Sequence, residues 1–247
     1  MAQSILVTSG RGGLGKSVVC AGLAQAFSRL GQRVVLVEGT HRSLDMMYGV
    51  SQRVVFDWVD LLEERCTPQD ALLPLEEAPD EGEPAPLLLC GPTYGAAIPP
   101  APSLGQLTAQ LGEFCDLLLV EAGEQPAPLL REWARVADRA VIVATPDPVA
   151  VRSGRAVSDL LDEEGVPDVR LCVNMLPGDF LKTRPVPDLD WMIDQVCAQL
   201  IAVVPYERIF ALPMPIGKKL SLSNVAKIIF DNFAQRILGN YIDLWIQ

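Results

Sequence analysis

The sequence predicts an α/β fold three layers deep, with a mostly parallel, doubly wound sheet between two layers of helices. Two observations carry this. Short, nearly continuous apolar runs recur at 4–9, 33–38, 86–90, 116–122, 140–145, 169–174 and 200–204. Runs this short, without polar alternation, suit strands that helices cover on both faces. Segments of helical period lie between them, at about 16–30, 54–65, 103–113, 127–137, 148–164 and 188–199. Alternation of the two kinds builds parallel sheets through right-handed crossovers, which place ligands at the carboxyl ends of the strands.

The elements differ in how they announce themselves. "SILVTS" (4–9), "RVVLVE" (33–38) and "AVIVAT" (140–145) are rich in β-branched residues, whereas "PLLLC" (86–90) and "DLLLVEA" (116–122) are leucine strands. Residues 74–102 hold eight prolines and the acidic run "EEAPDEGEP", and so read as a surface excursion around one strand. The closing segment, 223–247, reads as one long helix with an apolar face of Ala226, Ile229, Phe233, Ile237, Tyr241 and Leu244. No repeat divides the chain, and one domain spanning 1–247 is expected.

Composition narrows the function classes. With 49% apolar residues, the 247-residue chain has enough material for a substantial core. No apolar run approaches the roughly 18 residues of a membrane-spanning helix, and "MAQSILVTSG" lacks the basic start of a signal peptide. The six cysteines are scattered without a C-x-x-C pair, and His41 is the one histidine, so a zinc-type cluster is not expected. A net charge of −11 argues against a broad basic face for nucleic acid. The expectation is an acidic, cytoplasmic protein with reduced thiols.

The strongest motif follows the first strand. "GRGGLGKS" (10–17) fits G-x-x-x-x-G-K-[ST] and opens the first helix. Successive backbone N–H groups at a helix N-terminus form a concave anion site, and glycines let the backbone approach phosphates. The cofactor-binding candidates are therefore Gly10, Arg11, Gly12, Gly13, Leu14, Gly15, Lys16, Ser17 and Val18. Lys16 supplies a mobile charge for the β- and γ-phosphates, and the Ser17 hydroxyl suits Mg²⁺.

"TSGRGGLGKS" resembles the deviant Walker A loop of the MinD/ParA ATPases, K-G-G-x-G-K-[ST]. "SLDMMYGVSQRVVFDWVDLL" (43–62), "CDLLLVEAG" (115–123), "VIVATPDPVAVRSGRAVSDLL" (141–161) and "LCVNMLPGD" (171–179) are similar to segments of that family in order and spacing. The likeness covers roughly residues 2–240, and the 43–62 and 141–161 stretches favour the MinD branch. It implies ATP or ADP with Mg²⁺, a nucleotide-dependent homodimer, and a protein partner in septum placement or a related positioning task. It also implies that Asn174 and the Pro205-Tyr206-Glu207 loop hold adenine, and that Glu121 occupies the metal-side carboxylate position. By residue type alone, Asn174 reads as a turn residue at a strand end.

The chain departs from that pattern in three places. Arg11 stands where the family has a lysine that reaches the partner's phosphates; arginine keeps the charge but has a planar, forked head. Arg11 and Lys16 are the catalytic candidates. Glu38-Gly39-Thr40 replaces D-x-D, and a threonine hydroxyl cannot stand in for the carboxylate that orients water. Glu121 replaces the aspartate of the metal site, where with Ser17 it is the metal candidate. Hydrolysis is accordingly expected to be very slow or absent. At the tail, "NYIDLWIQ" has no lysine or arginine, so the terminal helix offers only weak peripheral membrane contact. Two other readings stay open: an ATP-dependent ligase of a related fold, dethiobiotin-synthetase-like or cobyrinate-amidating, and a scaffold that no longer binds nucleotide.

Overall fold

The computed structural model describes residues 2–75, 82–99, 104–123, 127–180, 188–207 and 222–244. The strands are β1 (Gln3–Thr8), β2 (Val34–Glu38), β3 (Leu72–Pro74), β4 (Leu87–Leu89), β5 (Leu117–Glu121), β6 (Arg139–Ala144), β7 (Val169–Leu176) and β8 (Gln199–Pro205). They form one sheet in the order β3-β4-β2-β5-β1-β6-β7-β8. β3 runs antiparallel to β4, and every other pairing is parallel. The helices are α1 (Lys16–Arg29), α2 (Leu44–Met47), α3 (Trp58–Leu62), α4 (Pro68–Ala71), α5 (Leu104–Leu111), α6 (Ala127–Arg135), α7 (Pro148–Glu163), α8 (Leu189–Val196) and α9 (Asn224–Ile237).

The strand pleat sorts side chains to two cores. In β1, Ile5 and Val7 face a core shared with Leu23 and Phe27 of α1 and with Phe230 and Phe233 of α9. Leu6 faces the other way, into a core with Trp58, Leu107, Trp133, Leu161 and Met192. Both faces of the central strands are thus covered, and the three-layer α/β/α expectation holds. Among the described residues, no helix is long and apolar enough to cross a membrane.

Three local expectations need correction. The helix foreseen at 54–65 is confined to Trp58–Leu62, because the Asp57 carboxylate caps the N–H groups of Val59 and Asp60. The edge strand β3 and helices α2 and α4 were not foreseen; each is four residues or fewer, too short for periodicity to show. The terminal helix stops at Ile237 and does not run on: Gly239 turns the backbone at φ 89°. Arg236 then holds the tail by donating to the carbonyls of Ile242 and Asp243. Of the excursion at 74–102, residues 76–81 and 100–102 lie outside the described residues, as do 245–247 of the closing segment.

Candidate functional site

The chain leaves the carboxyl end of β1 at Thr8 and turns through 9–15 into α1. β1 is central, flanked by β5 and β6, so this loop opens at the edge where those strands also end. Close packing fixes its start: a Cβ added at Gly10 would lie 2.2 Å from the Ser153 carbonyl of α7. Leu14 plugs into the core, while Gly12 and Gly13 are exposed. Lys16 Nζ donates to Ser9 Oγ at 2.9 Å, and Ser9 Oγ donates to the Arg11 carbonyl at 2.7 Å. The lysine head therefore lies over the start of its own loop.

The Ser17 hydroxyl donates to Glu121 Oε1 at 2.6 Å. Glu121, at the end of β5, is buried, and its Oε2 has no hydrogen-bond partner. Burial raises its pKa above the ordinary carboxylate value, and the Ser17 bond, the Lys16 charge and the Ser43 hydroxyl offset this only in part. A buried carboxylate with an open oxygen beside a hydroxyl is a donor set that suits Mg²⁺, which takes one or two carboxylates and completes its shell with phosphate and water. No group of three His, Cys, Asp or Glu side chains gathers for a metal among the described residues. Ser17 and Glu121 are thus the cation candidates the geometry brings together.

A cavity of about 320 Å³ extends from these residues. Gly13, Gly15, Lys16, Ser17, Val18 and Glu121 line its phosphate-loop side, and Asn174, Met175, Pro205, Tyr206 and Glu207 line the other. The two groups, far apart in sequence, face one space, with Met47 of α2 at its border. Tyr206 is half exposed, and its N–H donates to the Leu176 carbonyl. Glu207 accepts from the hydroxyl of Ser223, the cap of α9.

Sequence reasoning missed several partners. Arg11 pairs within the chain with Asp147 at 3.0 Å. Asp147 also caps α7 and accepts from the Thr145 hydroxyl at 2.6 Å. Burial alone would raise this carboxyl; Thr145, the Ala150 N–H and Arg11 outweigh it and hold the pKa below the ordinary value. An Asp-Pro pair before a helical run signals a cap, yet nothing local signals its ion pair. The Glu38-Gly39-Thr40 segment is held rigidly: Trp58 Nε1 donates to the Glu38 carbonyl and Trp133 Nε1 to the Gly39 carbonyl. The two indoles meet edge to face at 6.1 Å. Glu38 itself is 1% exposed and accepts from the N–H groups of Ser43, Leu44 and Gly91. His41 stacks edge-on against Tyr94 at 5.2 Å.

A parallel sheet with a glycine-rich loop from its central strand, a lysine and serine opening the next helix and an acidic side chain ending the neighbouring strand define a P-loop nucleotide-binding protein. The family model described as the CobQ/CobB/MinD/ParA nucleotide binding domain matches residues 5–212. The chain belongs to that family. It is 29% identical over 250 residues to the septum site-determining protein MinD of Synechocystis, covering 98% of this chain and 91% of the relative. Its fold superposes on the MinC:MinD cell division protein complex of Aquifex aeolicus with a TM-score of 0.78 at 24% identity, covering 99% and 98% of the two chains. It also superposes on MinD of Pyrococcus horikoshii complexed with Mg-ADP, with a TM-score of 0.73 at 20% identity and 96% coverage of each.

Proposed function

We propose that this chain is a MinD-like, ATP-binding regulator of septum placement or a related positioning task, acting as a nucleotide-dependent homodimer that recruits a protein partner. The observation that carries the reading is the Ser17–Glu121 pair, which lines the cavity together with Lys16. In this reading, Gly10 to Val18 cradle the phosphates, Ser17 and Glu121 hold Mg²⁺, and Asn174 with Pro205, Tyr206 and Glu207 border the adenine. Bound Mg²⁺ supplies charge neutralisation for the β- and γ-phosphates. Lys16 leaves Ser9 for phosphate. Arg11 serves the partner subunit only after it leaves Asp147, so the ion pair opposes dimer formation.

Thr40 brings no carboxylate to the end of β2, and Glu38 is committed to four N–H groups. The protein accordingly holds nucleotide and hydrolyses it very slowly. The ligase reading would need cationic groups for a second, acidic substrate. Among the described residues lining the cavity, Lys16 is the one cation.

Calorimetric titration with ATP and Mg²⁺ tests the proposal: saturable binding is expected, and no detectable heat or competition would reduce the chain to a scaffold. Turnover should be near background, and Thr40→Asp should raise it by about 10²-fold. Brisk hydrolysis by the unaltered chain would refute the slow-turnover assignment.

A further inference from the structure

We infer that Asn174 is a positioning residue for the phosphate loop, beyond any contact with the base; this rests on reading the cavity as a nucleotide site. Its side chain is 3% exposed, and Nδ2 donates to the Leu14 carbonyl at 2.8 Å. Leu14 is the last residue before Gly15, which caps α1 in the left-handed region at φ 86° and lends no side-chain hydrogen bond to the helix start. A Cβ at Gly15 would lie 2.2 Å from Asn174 Nδ2 and 3.3 Å from Met175 Cε. The amide and the thioether thus press on the turn where the loop becomes a helix.

The strand delivers these groups by breaking its own regularity. β7 slips register against β8 between Val173 and Leu176, and Met175 adopts φ 57°, a left-handed conformation uncommon for a residue of its kind. Non-glycine residues in such conformations cluster where the surrounding structure has a use for the strain. Here the bulge lies where Asn174 and Met175 meet a loop that belongs to β1, two strands away.

The consequence is mechanical. N–H groups bind phosphate well only if they are already aimed, since ordering a glycine-rich loop at the moment of binding costs conformational entropy. Holding the Leu14 carbonyl from outside fixes the peptide plane that carries the Gly15 N–H. Asn174 therefore links the base wall of the cavity to the phosphate wall through one buried hydrogen bond.

Inorganic tripolyphosphate with Mg²⁺ separates this role from base recognition, because it carries no base. Asn174→Ala should weaken tripolyphosphate by about tenfold for one buried hydrogen bond, and ATP by at least that factor. Loss of ATP affinity with tripolyphosphate unchanged, or no loss of either, would overturn the assignment. Amide exchange without ligand is the second readout: residues 13–18 should exchange faster in the variant while the rest of α1 keeps its protection, and unchanged exchange there overturns the clamp. Should the alanine variant fail to fold, Asn174→Ser is measured in the same two ways. Wild-type protein that binds neither ATP nor tripolyphosphate would sink the nucleotide reading, and the exchange experiment would still judge the clamp.

Discussion

At position 38 the side chain reaches from the end of β2 to cap the start of the next helix and to hold Gly91 beyond β4. Burial outweighs those N–H groups, and Asp45 adds to it, so the Glu38 carboxyl is pushed from 4.5 up to about 7. The direction for stability follows. Between these values the unfolded chain releases a proton that the folded chain keeps, so ionisation favours unfolding. The contribution of Glu38 is full below pH 4.5 and is lost as pH rises through 7. The loss has a ceiling of about 3.5 kcal/mol at roughly 1.4 kcal/mol per unit. Urea unfolding of wild type and Glu38→Gln at pH 5 and pH 8 checks this. Wild type should lose more stability than the variant over that interval, and parallel losses would show that Glu38 titrates as if exposed. The same residue shows what the sequence could not reveal. The loss of D-x-D was plain in "VEGT", but the capping role of Glu38 depends on where Gly91 and Leu44 come to lie.

At the scale of elements, α1 matters most, because it begins at the phosphate loop and must not shift. Its inner face packs Val19, Leu23 and Phe27 against the sheet, and α9 buttresses it through Phe230 and Phe233. Arg29 of α1 pairs with Asp231 of α9 at 2.6 Å, partly shielded from solvent. Phe230 is fully buried, so Phe230→Ala removes a ring and leaves a cavity between the helices. A loss of about 3–5 kcal/mol in urea unfolding is expected, and a loss below 1 kcal/mol would mean that α9 is not a structural support for α1. The long elements were legible because their apolar runs carry a period: the seven strands foreseen all form, within one or two residues for most ends. The phosphate loop was legible for a different reason, since its chemistry demands residues adjacent in sequence. What escaped were the four-residue helices, the edge strand at Leu72–Pro74, and every pairing between distant segments, such as Arg11 with Asp147 or Asn174 with Leu14. Those depend on which strands lie together, and a single sequence does not disclose that order.

For the whole molecule, the open question from the sequence was whether the C-terminal segment engages lipid. An amphipathic helix binds a bilayer with its apolar face, aided by basic residues on the other. In α9 that face is already spent: Ala226, Ile229, Phe230, Phe233, Ala234 and Ile237 are buried against the sheet and α1. Lipid insertion of the helix would have to expose this core. Among the described residues beyond the helix, Tyr241 projects, 94% exposed, with part of Leu244, in a segment without lysine or arginine. The chain as a whole carries a charge of −11, so anionic headgroups repel it at long range. Among the described residues of the tail, Tyr241 is the one ring set out in solvent, and it works against that field. Flotation with anionic vesicles should therefore recover little protein, with or without ATP and Mg²⁺, at physiological ionic strength. Recovery that rises with ATP, and falls on Tyr241→Ser, would show that the tail beyond Gly239 is the membrane contact and that nucleotide controls it.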